Sequence, residues 1–293
     1  SDVLPICNNM QVISGKDLSA SLKADMAKQV ATYKERYGRL PKLSVILVGD
    51  DPGSVSYVTG KAKASEEVGI LNETIRLDAS TTEAELLRKI DELNADSSVD
   101  GILVQLPLPK HIDEKKVISA IRREKDVDGF HPLNVAGLWS NTDCVVPCTP
   151  KGVIKLLKSQ NIEMKGKNVV VMGRSNIVGL PVSKLLLNEN ATVTITHSKT
   201  ENLPQVCAKA DILVVAIGKA KFVTADFVKQ GAVVIDVGVN RDEATGKLCG
   251  DVDFDACAEK TSYITKVPGG VGPMTICCLM ENTIECYLRN VAK

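Results

Sequence analysis

Along residues 16–37 apolar side chains recur at Leu22, Met26, Val30 and Tyr33, the spacing of one helix face, and residues 43–48 then form an unbroken apolar run ended by Gly49. The first pattern predicts a helix and the second a strand buried on both faces. Asp51-Pro52 suits a helix start, residues 54–68 are helix-like, and Gly69 ends them. A strand at 74–77, a helix opened by a capping box from Thr82 to Glu85, and a strand at 101–106 continue the alternation. A loop-rich stretch over 126–147 precedes Thr149-Pro150, which reads as an N-cap followed by proline at the first helical position.

The second half repeats the pattern, with β-branched runs at 168–172, 192–196, 212–216 and 232–237 separated by helix-length segments. Such alternation implies a mostly parallel sheet, and therefore an α/β fold. A chain of 293 residues, at about 150 residues per domain, suggests two domains with a cleft between them. The expected division is 1–148 together with a last apolar helix at 274–293, and a Rossmann-like domain at 149–273. No internal repeat interrupts this arrangement.

Thirty-six basic residues balance thirty-six acidic ones, and only 3% of residues are aromatic. The chain therefore lacks the global field and the stacking surface of a nucleic-acid binder, and it has no run of about 20 apolar residues for a membrane span. A small molecule is the expected partner. Nine cysteines, including Cys7, show neither CxxC pairing nor zinc spacing, so they read as reduced thiols with no metal site. The residues from Ser1 to Ser14 do not read as a signal peptide. Cytosol is the expected location, and the start on Ser1 leaves a removed organellar targeting peptide open.

Tyr57 and Lys61 are four apart on a predicted helix and so share a face, although on that spacing alone a surface pair is the commoner reading. Gly60 between them costs about 1 kcal/mol in a helix interior, which hints at a close backbone approach. In Val104-Gln105-Leu106-Pro107 an amide interrupts an apolar strand near its carboxyl end, where ligands of open α/β sheets lie. Asp126-Val127-Asp128-Gly129 places two carboxylates before a turn, and the turn alone is an ordinary reading. The segment Val267-Pro268-Gly269-Gly270-Val271-Gly272-Pro273-Met274-Thr275 is too apolar for a solvated loop, and its glycine amides suit close approach to a flat ligand.

The strand at 168–172 ends in Gly173-Arg174-Ser175 and leads through Gly179 into a helix pattern, a turn that suits a pyrophosphate although GxGxxG spacing is absent. The next strand ends His197-Ser198-Lys199, without the carboxylate that holds a ribose 2′-hydroxyl. Arg174 and Ser198, with Lys199 as a further candidate, instead suit a 2′-phosphate, which favours NADP over NAD. A lone His197 reads as a packing or surface residue.

Taken in order, Tyr57 with Lys61, Val104-Gln105-Leu106-Pro107, Asp126-Val127-Asp128-Gly129, Pro147-Cys148-Thr149-Pro150-Lys151-Gly152, Gly173-Arg174-Ser175 and Pro268 to Thr275 resemble the bifunctional methylenetetrahydrofolate dehydrogenase/cyclohydrolase family. The resemblance spans nearly the whole chain and implies a homodimer whose subunits have a folate-binding domain and a Rossmann-like NADP domain. Lys61 is similar to the family's catalytic lysine, Tyr57 to the residue that stacks on the aminobenzoate ring, Gln105 to the lysine's partner and Asp128 to the pterin-recognising carboxylate. Val104 and Leu106 flank that glutamine. Pro268, Gly269, Gly270, Val271, Gly272, Pro273, Met274, Thr275 and Ile276 resemble the folate-contacting segment. Gly173, Arg174, Ser175, Ser198 and Val239 resemble the cofactor contacts, with Val239 standing where many relatives have isoleucine. A formyltetrahydrofolate synthetase domain does not fit in this length.

The implied activity is NADP-dependent oxidation of 5,10-methylenetetrahydrofolate to the 5,10-methenyl cation, followed by hydrolysis to 10-formyltetrahydrofolate. Hydride transfer depends chiefly on alignment, whereas hydrolysis requires water activation and protonation of a ring nitrogen, work suited to one positioned amine. The rival readings are a dehydrogenase without significant cyclohydrolase activity and a noncatalytic NADP-binding sensor.

Overall fold

The computed structural model describes residues 9–293, so Cys7 and the start of the chain lie outside the described residues. In chain order, β1 (Gln11–Ile13) and α1 (Gly15–Tyr37) precede β2 (Lys42–Val48), α2 (Pro52–Val68), β3 (Leu71–Leu77), α3 (Glu83–Ala95) and β4 (Gly101–Val104). Next come α4 (Glu114–Ala120), α5 (Pro132–Ser140), α6 (Cys148–Ser159), β5 (Asn168–Met172), α7 (Gly179–Asn188) and β6 (Thr192–Thr196). The chain finishes with α8 (Leu203–Cys207), β7 (Ile212–Val215), β8 (Ala232–Asp236), β9 (Asn240–Arg241), β10 (Leu248–Cys249), α9 (Phe254–Cys257), β11 (Thr261–Thr265) and α10 (Val271–Val291).

Two compact units result. One holds the described residues up to Leu18 and Thr149–Thr275; the other holds Ser19–Cys148 and Ile276–Lys293. The second unit is built on a three-stranded parallel sheet, ordered β3-β2-β4. Every residue of β2 from Leu43 onward is buried, as a strand covered on both faces requires. Asp126 forms an isolated parallel bridge to Ile102, extending this sheet beyond β4 by one residue.

The first unit contains a six-stranded sheet, ordered β1-β11-β8-β7-β5-β6, all of whose pairs are parallel. Its order reverses between β5 and β7, the point at which α/β sheets bind ligands beyond their carboxyl ends. Its core joins Val170, Met172, Leu213, Val215, Val234 and Ile264 to Phe227 and Cys257 from the covering segments.

Several elements differ from the expected ones. The sequence pattern groups residues 9–18 with the first domain, yet β1 pairs with β11, Val12 opposite Ile264, and so belongs with the larger sheet. Strand β4 stops at Val104 rather than 106. The expected loop over 126–147 contains α5, started by His131, whose Nδ1 accepts from the Leu133 amide at 3.0 Å. Its apolar residues concealed it because Leu133 and Trp139 face outward instead of forming a buried stripe. Helix α6 begins at Cys148, placing Thr149 and Pro150 inside its first turn.

No disulfide joins any two of the eight cysteines of the described residues. Among these residues no group of three metal-binding side chains converges, and no helix is long and apolar enough to cross a membrane.

Candidate active site

Helix α2 is fixed at both ends by its own sequence. The Asp51 carboxylate accepts from the Ser54 amide at 3.0 Å, and Gly69 closes the helix in the left-handed conformation. Between these caps Tyr57 is exposed, at 55%, while Lys61 is half-buried on the same face. Lys61 Nζ donates to Gln105 Oε1 at 2.8 Å. Gln105 Nε2 donates to the Leu106 carbonyl at 3.0 Å, so both ends of the buried amide are engaged and its orientation is set. Gln105 lies just beyond β4, its amide bonded to Ile46 of the neighbouring strand. Gly60 does not mark a tight protein contact: a Cβ there would meet Ile276 at an ordinary 3.7 Å.

The two carboxylates of the Asp126 to Gly129 turn have different fates. Asp126 is buried and accepts from the His131 amide at 2.8 Å and from Asn134 Nδ2 at 2.9 Å; burial nevertheless holds its pKa above the usual carboxylate range. Asp128 is half-buried and accepts no hydrogen bond among the described residues. Desolvation pushes its pKa up to about 7, opposed by the positive charge of Lys61 and reinforced by Asp126. The first carboxylate shapes the turn; the second is left available beside the lysine.

The turn itself is held from several sides. Val127 packs into the space left by the absent Cβ of Gly101, and Gly129, at φ +73°, sits against the Val145 to Pro147 backbone. Asn282 Nδ2 donates to the carbonyls of Val127 and Val146 at 2.9 and 2.8 Å. Sequence reasoning missed Asn134 and Asn282. The available signal for Asn282 was a polar residue inside an otherwise apolar final helix.

In the other unit, a cavity of about 380 Å³ opens at the ends of β5, β6 and β7. Gly173, Arg174, Ser175 and Ser198 line it, joined by His197, Lys219 and Phe222. Gly173 takes φ +114°, and any Cβ there would overlap the Ala216 carbonyl. A Cβ on Gly179 would overlap the Gly173 carbonyl, so this turn admits only glycine at both positions. The Ser175 hydroxyl accepts from the amides of Val178 and Gly179 at 3.1 and 3.4 Å, and its proton is free to donate. His197 Nδ1 accepts from the Lys199 amide at 3.2 Å, a turn-shaping role. Val239 is 51% exposed and stands outside this lining.

The glycine turn and the adjacent cationic and hydroxyl side chains fit a dinucleotide with a 2′-phosphate. Lys219 and Phe222 were missed because they follow β7 without a motif. Lys219 Nζ lies 5.2 Å from the Phe222 ring centre.

The 268–275 segment belongs to that same unit. Gly269, at φ +101°, makes its turn, and its carbonyl accepts from the Lys16 amide at 3.1 Å. Gly15 packs directly on the Gly270 carbonyl, so part of the close approach expected for a ligand is between two stretches of this chain's own backbone. Helix α10 begins at Val271, which places Gly272, Pro273, Met274, Thr275 and Ile276 on helix rather than loop. Met274 is buried against Gly152, and the Thr149 and Thr275 hydroxyls meet at 2.9 Å. Gly272 faces open space, where a ligand has room to approach.

Comparison with known proteins agrees with this chemistry. Residues 13–128 match the tetrahydrofolate dehydrogenase/cyclohydrolase catalytic domain, and residues 147–291 match the NAD(P)-binding domain of the same family. The bifunctional protein FolD of Streptococcus pneumoniae serotype 4 is 57% identical over 281 residues, covering 96% of this chain and 98% of its own. The structure of the bifunctional enzyme FolD, methylenetetrahydrofolate dehydrogenase/cyclohydrolase, from Campylobacter jejuni superposes with a TM-score of 0.93 at 48% identity, over 96% of this chain and 99% of its own. That of Trypanosoma brucei N5,N10-methylenetetrahydrofolate dehydrogenase-cyclohydrolase, complexed with NADP cofactor and inhibitor, gives 0.92 at 40%, over 97% and 99%. With both domain matches in order along the chain and identity of this level over nearly its full length, the protein belongs to the tetrahydrofolate dehydrogenase/cyclohydrolase family.

Proposed function

We infer that the protein is a bifunctional enzyme that oxidises 5,10-methylenetetrahydrofolate with NADP and hydrolyses the 5,10-methenyl product to 10-formyltetrahydrofolate. The observation that carries this reading is the Lys61 to Gln105 hydrogen bond of 2.8 Å with the available Asp128 carboxylate beside it. An amine held at a fixed point can take a proton from water as its oxygen adds to the methenyl carbon. The same group then returns a proton to the ring nitrogen as the carbon–nitrogen bond breaks. Gln105 holds the lysine in place for both transfers.

Tyr57 offers an exposed aromatic face suited to the aminobenzoate ring, and Asp128 an acceptor, or when protonated a donor, suited to the pterin edge. When bound, NADP supplies the hydride acceptor for the oxidation. Arg174 and Ser198 would hold its 2′-phosphate, and the turn from Gly173 to Gly179 its pyrophosphate. Folate binding is assigned to the unit bearing Lys61, and NADP binding to the six-stranded unit, with Val239 as a further contact.

The same reading includes a homodimer, supported by the exposed apolar residue Ile195 on β6, the edge strand of the large sheet, and by exposed Leu187 on α7. A cytosolic location accords with eight cysteines that form no disulfide with one another. Sedimentation of the purified chain tests the first. For the activity, NADPH formation from methylenetetrahydrofolate and the rise and decay of the methenyl species are followed together. NADP binding without substrate-dependent reduction would overturn the enzyme reading, and a methenyl species that decays no faster than by spontaneous hydrolysis would remove the cyclohydrolase.

A further inference from the structure

Two carboxylates in the six-stranded unit, Asp236 and Asp251, are buried without any cation among their hydrogen-bond partners. Asp236 ends β8 and accepts from the amides of Gly238, Asp251 and Val252, each at 3.0 Å. Asp251 follows β10. Its Oδ2 accepts from the amides of Ile217 and Gly218 at 2.8 and 3.1 Å, and its Oδ1 from the Lys219 amide and Asn240 Nδ2 at 2.9 and 2.8 Å. The packing leaves no slack: a Cβ on Gly238 would overlap the Asp251 carboxylate, and one on Gly250 would overlap that of Asp236.

Three successive amides turned toward one point form a concave anion site, and here the anion is the protein's own side chain. The amides belong to the loop after β7, from which Ala216, Ile217, Lys219 and Phe222 line the dinucleotide cavity. These peptides are trans, so each carbonyl points opposite to its N–H. Turning the amides of 217–219 toward Asp251 therefore turns the carbonyls of Ala216, Ile217 and Gly218 the other way. The Ala216 carbonyl abuts Gly173 in the cavity wall, which identifies that side.

We propose that Asp251 is a positioning residue for the cofactor. By occupying the amides of Ile217, Gly218 and Lys219 it fixes the β7 loop so that its carbonyls form an acceptor wall, suited to the hydroxyl donors of the cofactor's ribose and unsuited to its phosphates. The phosphates are left to the turn from Gly173 to Gly179. Asn240 holds the carboxylate in register. The proposal rests on the NADP-dependent reading of the function.

Asp251→Asn tests it, because the new amide cannot accept at both positions and one nitrogen would face backbone donors. The wild-type enzyme must first reduce NADP with methylenetetrahydrofolate; failure there defeats the functional reading and is separate from anything the variant shows. In the variant, the KM and Kd for NADP should rise about tenfold, the scale of one charge-assisted hydrogen bond. Cyclohydrolase turnover of preformed methenyltetrahydrofolate, which uses no NADP, should remain within about twofold of wild type. A purely structural role would lower both activities with the folded fraction and leave KM for NADP unchanged, and that result overturns the proposal. If Asp251→Asn does not fold, Asn240→Ala decides: it removes one of the four donors, and a rise of about threefold in KM for NADP is expected. An unchanged value in Asn240→Ala overturns the proposal equally.

Discussion

Lys61 donates from Nζ to Gln105 Oε1 at 2.8 Å while the opposite end of the same amide donates to the Leu106 carbonyl at 3.0 Å, so the lysine is held by a group that is itself held. Positioned proton transfer of this kind accounts for about a hundredfold to ten-thousandfold in rate. Lys61→Met should therefore abolish cyclohydrolase turnover by a factor in that range while folate binding persists, since methionine keeps the length of the stem. Decay of methenyltetrahydrofolate absorbance measures the first and equilibrium titration the second. A variant with the full cyclohydrolase rate would remove Lys61 from the mechanism.

Asp128 has the opposite character: a carboxyl pushed up from 3.8 to about 7 by desolvation, partly relieved by Lys61. A carboxyl whose folded pKa is raised favours the folded state fully while protonated, below the unfolded value of 3.8, and loses that contribution as pH rises through about 7. Asp128→Asn removes the loss. Its melting temperature should match wild type near pH 4, exceed it by a growing margin toward pH 7, and hold that margin above. Half-burial limits the effect to about a few degrees. Its KM for the folate should rise, because Asn cannot present an anion. Thermal scans across pH check the sign, and a margin that shrinks with rising pH contradicts it.

How much of this was legible depended on whether a residue's reason was local. The caps of α2 at Asp51 and Gly69, the strands at 168–172 and 192–196, and the glycine turn at Gly173 follow from chemistry within a few residues, and the structure has them where the sequence places them. The roles of Asn134, Asn282 and Asp251 were not legible because their partners lie 8 to 155 residues away and most of them are backbone groups with no sequence identity to read. Strand β1 was missed for a similar reason. Its three residues are too few for a pattern, and only pairing with β11 makes them a strand.

Gly173→Ala separates the two activities. Its new Cβ would overlap the Ala216 carbonyl at a backbone angle of φ +114°, which side-chain-bearing residues rarely adopt. The turn must open, and NADP affinity should fall by at least about tenfold. The Lys61 cluster lies in the other unit and is built from separate contacts, so cyclohydrolase turnover should persist. Parallel assays of both activities on one preparation distinguish this from misfolding, which would lower the two together.

In the proposed function, cofactor choice rests on the cavity wall where Arg174 and Ser198 stand at the ends of β5 and β6 with no carboxylate in the lining. An arginine and a hydroxyl donate to a 2′-phosphate, whereas an unphosphorylated ribose gains little from either. Arg174→Ala should therefore raise KM for NADP by about tenfold, at the lower end for a charge-assisted bond because Arg174 is exposed, and leave KM for NAD nearly unchanged. Ser198→Ala should move the ratio in the same direction by less. Steady-state kinetics with each cofactor give the ratio directly. If NAD were used as well as NADP by the wild-type enzyme, or if Arg174→Ala weakened both cofactors equally, the guanidinium would be a general contact to the dinucleotide and the 2′-phosphate would be read elsewhere.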